Sequence, residues 1–265
     1  MVLNVMRRVS KFQLKSLLFS NVCRKYSSRS SPSVAVILSG SGVNDGSEIH
    51  EVASVLSHIT RNNATPHCFA PNVNQMDVIN HLECVPDTTH CRNVLIESAR
   101  LARGQLLCLS KLVTMTSLYD AVVFPGGFGV AKNLSNFATR GTECTVLPDV
   151  VTIIQEFHKA KKPIGLCCIA PILAARVLPG VTITLGTDSC EEDKWPYRDA
   201  IKAAVEMGAI VENREVNETS FDRENMVFST PAYMYAAGKY HEIDDGIGIM
   251  IKYILEIIKH SDKKS

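Results

Sequence analysis

The strongest constraint on the fold is a run, Val34–Leu38, that is apolar at every position and stops at Ser39-Gly40-Ser41-Gly42. A strand with one face in water alternates apolar with polar; a strand apolar throughout is covered on both faces. The period then changes, and Ile49, Val52, Ala53, Leu56 and Ile59 recur at helical spacing. The alternation continues down the chain. Buried-strand runs occupy Thr65–Ala70, Tyr119–Phe124 and Pro163–Cys167. Helical stripes occupy Val94–Ala102, Val150–Ala160, Ile169–Val177 and Ala200–Met207. Val181–Leu185 is strand-like, short strands are expected near Ala209–Val211 and Met226–Ser229, and a last helix aligns Ile247, Met250, Ile251, Ile254, Leu255 and Ile258. Buried strands separated by helices specify an α/β protein with a doubly wound, mostly parallel sheet and helices on both faces. Functional groups in such a sheet collect where strands end and helices begin. No linker or repeat interrupts 34–265, so one domain is expected there.

The segment before it is different in kind. Residues 1–33 carry seven Arg or Lys, eight Ser and no Asp or Glu. Arg7, Lys11 and Lys15 would share one face of a helix, with Val5, Val9 and Phe12 forming an apolar stripe. A basic, Ser-rich, acid-free amphipathic start predicts a mitochondrial transit peptide, and Arg24 places the expected cut after Tyr26. The whole chain has a formal charge of +1, but seven of its 28 basic residues lie in this segment. The remainder holds 21 basic against 27 acidic residues, a net −6. That removes the electrostatic footprint of a nucleic-acid binder. The apolar runs are far shorter than the roughly 20 residues of a membrane helix. Nine cysteines, an odd number with no Cys-x-x-Cys, fit scattered reduced thiols in a matrix protein better than disulfides. No Cys/His cluster has metal-ligand spacing, and neither a metal nor a cofactor is expected.

Three strand ends carry candidate chemistry. At Pro163-Ile164-Gly165-Leu166-Cys167-Cys168-Ile169-Ala170-Pro171 a buried strand runs straight into a helix, the pattern of a nucleophile elbow. Alternation lets only one of the two thiols face the site; Cys168, at the turn, is the candidate, and a helix N-terminus there favours thiolate. Both cysteines could equally be small core residues. At Phe124-Pro125-Gly126-Gly127-Phe128-Gly129 the glycines free backbone amides to meet an anion, or make a plain turn. At Asp45-Gly46-Ser47-Glu48, Glu48 opens the first long helix as a candidate acid, although Asp45-x-x-Glu48 also reads as a capping box. Ser39-Gly40-Ser41-Gly42 is no phosphate-binding loop.

Together with Lys132-Asn133-Leu134-Ser135-Asn136-Phe137, these motifs occur in an order that resembles the ElbB-like branch of the class I glutamine-amidotransferase-like (PfpI) superfamily, from about residue 34 to the last helix. The resemblance implies a flavodoxin-like fold, an elbow cysteine at Cys168, an acid at Glu48 and an oxyanion site from the amides of Gly126, Gly127 and Ile169. It also places Asp188 where related proteins often carry histidine. The chain departs from the general elbow at Leu166 and Ala170, and His241 is the first histidine after the cysteine, just before the terminal helix. A glutaminase needs an acid paired with the cysteine, so true amidotransfer is not expected. Several members of the superfamily act on small aldehydes. The expectation is therefore a cofactor-independent glyoxalase-type enzyme acting on glyoxal or methylglyoxal, with Cys168 as nucleophile and Glu48 as proton shuttle. A non-catalytic binding or redox-sensing module, or a hydrolase or amidase of some acyl substrate, are the alternatives. The resemblance also implies a homodimer.

Overall fold

The computed structural model describes residues 31–189, 191 and 193–262; the predicted presequence, with its cut after Tyr26, lies outside the described residues. Its strands are β1 (Ser33–Ile37), β2 (Thr65–Ala70), β3 (Ile79–Asn80), β4 (Val85–Pro86), β5 (Leu106–Cys108), β6 (Ala121–Phe124), β7 (Ile164–Cys167), β8 (Thr182–Ile183), β9 (Ile210–Val211), β10 (Ser220–Asp222) and β11 (Val227–Thr230). The helices used below are α1 (Ile49–Arg61), α2 (Val94–Leu101), α3 (Pro148–Lys159), α4 (Pro171–Val177), α5 (Arg198–Glu206) and α6 (Tyr240–Asp262). Seven strands make one sheet in the order β10-β11-β7-β6-β1-β2-β5, parallel throughout except for β10. The chain runs from β1 outward to β2 and β5, then returns to the other side of β1 to build β6, β7 and β11. The winding therefore reverses between β1 and β6. At such a switch point the neighbouring loops turn away from each other and leave a crevice.

The apolar strands are buried as their composition requires: every residue of β6 and β7 is buried, and so is β1 beyond Ser33. Helices α6, α1 and α2 pack side by side, as do α3, α4 and α5, giving a flavodoxin-like sandwich of two helical layers around the sheet. Gly165 lies mid-strand because α6 lies directly on β7; a Cβ there would come 2.7 Å from Ile254 Cδ1. Among the described residues no helix is long and apolar enough to cross a membrane.

Three features differ from the sequence reading. The three-residue β5 and the β3–β4 hairpin were too short to carry a period. Val181–Leu185 and Ala209–Val211 do not extend the central sheet: β8 pairs with β9, parallel and apart from it. The edge beside β11 is taken by β10, which returns antiparallel through a turn with Met226 at φ 56°. The segment from β8 onward is instead tied on by side chains, through Thr182 N–H to Asp222 Oδ2 (2.7 Å) and Thr184 N–H to Ser229 Oγ (2.8 Å).

Candidate active site

The C-terminal ends of β1, β6, β7 and β11 converge at the crevice. After β7 the chain turns sharply at Cys168, whose φ is +57°. That left-handed conformation costs a non-glycine residue about 1–2 kcal/mol. It is held by Cys168 N–H donating to Thr230 O at the end of β11 (3.1 Å) and by Ala170 N–H donating to Cys167 O (2.9 Å). The elbow leaves Cys167 in the core and turns Cys168 Sγ toward the amides of Gly127 and Ile169, both of which donate to it.

The two glycines of the Pro-Gly-Gly turn after β6 carry no side chain because there is no room for one. A Cβ on Gly126 would sit 2.5 Å from Cys168 Cβ and 2.7 Å from Glu51 Oε2. A Cβ on Gly127, itself at φ +97°, would sit 2.4 Å from Glu48 N. The Gly126 amide donates to Glu51 Oε2 at 2.7 Å and is thereby occupied, which leaves Gly127 and Ile169 as the amides that face the sulfur.

The carboxylate that meets the thiol is Glu51. Glu48 is the N-cap of α1, with extended backbone (φ −66°, ψ 126°), so its side chain folds back over the first turn. Its Oε2 accepts Glu51 N–H (2.7 Å) and its Oε1 lies 2.9 Å from His50 Nδ1. The cap thus pairs Glu48 with Glu51, a correction to the expected Asp45-x-x-Glu48 box. Glu51, most of a turn further on, projects beneath the helix to the strand ends and is fully buried. It accepts from Gly126, receives a longer contact from Tyr233 N–H (3.3 Å) and hydrogen-bonds the Cys168 thiol.

Burial dominates the electrostatics. It raises the Glu51 carboxyl from 4.5 to about 8, and the charge of Glu48 adds to the rise. Burial and then the charge of Glu51 also push the Cys168 thiol up, and the two facing amides offset only part of this. The expectation that the elbow favours a resting thiolate is therefore reversed by desolvation. Tyr197, ahead of α5, is raised by burial and by the charge of Cys168.

The remaining predicted residues fall elsewhere. Asp188 is exposed beyond β8 and exchanges hydrogen bonds with Asn213, whose Nδ2 donates to Asp188 Oδ1 at 2.8 Å. His241 is exposed at the start of α6. Among the described residues no group of three or more His, Cys, Asp or Glu could hold a metal ion. Two residues to which the sequence assigns no role shape the site. Glu51 lies four and eight residues before Val55 and Ile59, so an acid interrupts the buried stripe of α1; that was its signal. Asn133 is buried and donates to Ser39 O (2.9 Å) and Asp45 O (2.8 Å) while accepting Met76 N–H (2.9 Å). It clamps the loop from Ser39 to Ser47, whose Gly46 carbonyl receives Gly129 N–H at 2.9 Å under the Pro-Gly-Gly turn.

A scan against protein-family models finds no match. The chain is 49% identical over 224 residues to the mitochondrial ES1 protein homolog of Rattus norvegicus, covering 84% of this chain and 83% of that protein. It is also 49% identical over 224 residues to the mitochondrial glutamine amidotransferase-like class 1 domain-containing protein 3 of Homo sapiens, covering 84% and 82%. Among solved structures it is similar to an isoprenoid biosynthesis protein with an amidotransferase-like domain from Ehrlichia chaffeensis, with 34% identity, a TM-score of 0.76, and 85% of this chain and 99% of that one aligned.

Proposed function

The chain belongs to the ES1 family of class 1 glutamine amidotransferase-like proteins, and from that premise we propose a mitochondrial matrix enzyme of the glyoxalase type that converts 2-oxoaldehydes to 2-hydroxy acids. The working domain is 34–265, behind a presequence removed after Tyr26. The observation that carries the reading is the buried Glu51–Cys168 pair, with the sulfur between the Gly127 and Ile169 amides. The acid of the sequence reading thereby moves from Glu48 to Glu51.

Loss of one proton from the pair leaves the Glu51 carboxylate beside the Cys168 thiol; as the sulfur approaches the aldehyde its proton passes to Glu51, giving a thiolate that accepts from both amides and from protonated Glu51. The thiolate adds to the aldehyde carbon, a C–S bond forms, and the new oxyanion takes the Glu51 proton to give a hemithioacetal. The Glu51 carboxylate removes the hydrogen on that carbon as a proton. The electron pair moves to the neighbouring carbonyl oxygen, giving an enediolate. Glu51 returns its proton to the second carbon while the hydroxyl proton of the first passes to the second oxygen, giving a 2-hydroxy thioester. Water then adds, the C–S bond breaks, the 2-hydroxy acid leaves and the thiol is restored. One carbon is oxidised and its neighbour reduced, so the substrate balances its own electrons. The Gly127 and Ile169 amides stabilise charge first on sulfur and then on the adduct. The test is conversion of methylglyoxal to lactate without glutathione. Cys168→Ser and Glu51→Gln are expected to lower it about a hundredfold or more; turnover equal to wild type in both would refute the mechanism.

A further inference from the structure

The thiol is buried where the ends of β6, β7 and β11 meet, and groups that take no part in proton transfer lie close to it in the chain. Phe128 follows Gly127, whose amide faces Sγ, so its α-carbon is one residue from a donor to the sulfur. The Phe128 backbone is pinned, because its N–H donates to Val43 O at 2.7 Å. Tyr197 approaches Phe128 from another segment, ahead of α5, and its hydroxyl feels the charge of Cys168. That segment is held by the next residue: the Arg198 guanidinium donates to Ser189 O at 2.6 and 2.9 Å. The two rings meet edge to face, with centroids 6.4 Å apart and planes at 67°. Each keeps 36% of its surface exposed, a large share for aromatic side chains on fixed backbones. Aromatic pairs span about 4.5–7 Å, so this one is near the open end of the range, and a third ring on it gains both burial and quadrupole contacts. A negative charge on the α1 side, the Glu48 carboxylate, acts on the buried Glu51. It disfavours an anionic substrate.

We infer that the site takes a neutral 2-oxoaldehyde bearing an aryl group, its ring against Phe128 and Tyr197 and its aldehyde carbon at Cys168. The inference rests on the proposed reaction and narrows its substrate. Methylglyoxal offers the same reacting carbons and leaves the aromatic wall uncovered. Phenylglyoxal covers it.

The experiment compares phenylglyoxal with methylglyoxal on the full chain, and on Phe128→Ala and Tyr197→Ala. The ratio of the two kcat/KM values is expected to be about ten or more in the wild type and to fall about fivefold or more in each variant. A wild-type ratio near one, with methylglyoxal turnover that depends on Cys168, overturns the aryl assignment and leaves the reaction standing. Turnover of neither compound overturns the reaction, and the assignment is then decided by binding. The single tryptophan, Trp195, is two residues from Tyr197, so its emission reports occupancy. Acetophenone, which carries the ring without the aldehyde, is expected to saturate that signal at about one tenth of the acetone concentration or less. Equal concentrations for the two, or no saturable change, overturn the assignment by this route. A variant whose near-UV circular dichroism departs from wild type is replaced by Phe128→Leu or Tyr197→Leu, which keep apolar bulk and lose the ring.

Discussion

Replacing Glu51 with glutamine removes a buried ionisable group and keeps its shape. In the native protein this carboxyl titrates at about 8, against 4.5 in the unfolded chain. Below about pH 4.5 both states hold the proton, and the group costs nothing through linkage. As the pH rises past 4.5 the unfolded carboxyl ionises and the native one stays protonated, so unfolding becomes progressively easier. The loss levels off above about 8, where both states are ionised. Each tenfold difference in proton affinity is worth about 1.4 kcal/mol, so the full loss is about 5 kcal/mol. Glutamine cannot ionise and escapes it. Its carbonyl can accept the Gly126 amide at the position of Oε2, while its NH2 replaces the longer contact from Tyr233 at a cost of about 1 kcal/mol. The variant is therefore expected to be slightly less stable than wild type at about pH 5 and more stable by several kcal/mol at about pH 9. Urea denaturation of both proteins at the two pH values measures this, and the difference between them cancels the titrating groups that Glu51 does not influence. A gap between variant and wild type that stays constant with pH would refute the claim that Glu51 is held protonated by burial.

The rate of aldehyde turnover is expected to climb as pH rises through about 8, because the reactive form of the Glu51–Cys168 pair has lost one proton; a stopped-flow pH profile that is flat or falling across this range contradicts it. At position 168, glycine is expected to give a more stable protein than alanine by about 1 kcal/mol, the reverse of the usual backbone preference, because φ is +57° there. Thermal melts of the two variants decide it, and a more stable alanine form would mean the elbow is unstrained. Asn133→Ala removes three hydrogen bonds from the clamp on the Ser39–Ser47 loop and leaves buried partners unpaired. A loss of about 2–4 kcal/mol in urea is expected, and a loss below 0.5 kcal/mol would show that the loop is held by something else.

The doubly wound sheet was legible because it is written in local pattern. Val34–Leu38 and Ala121–Phe124 are apolar without alternation, and a strand of that kind has few places to go but the middle of a covered sheet. The elbow cysteine and the Pro-Gly-Gly turn were legible for a related reason: each sits where a buried strand stops. The edge of the sheet was not legible. Nothing within Val181–Leu185 says that it will pair with Ile210–Val211 rather than with β11, because the competitor for that place, β10, lies some forty residues away and wins it through a tight turn.

The acid of the site marks the same boundary. The strand–helix alternation put candidate groups at strand ends, and the elbow motif and the opening of the first helix offered a cysteine and a glutamate there. Which glutamate was a question of helix phase and cap geometry. Glu48 and Glu51 are three residues apart, but one turns back to cap α1 and the other points under it to Cys168. Whether the thiol is ionised was likewise beyond the sequence. The elbow predicts a lowered thiol and burial raises it, and the balance between amide hydrogen bonds and desolvation depends on how completely α1, the Pro-Gly-Gly turn and β11 close over the sulfur.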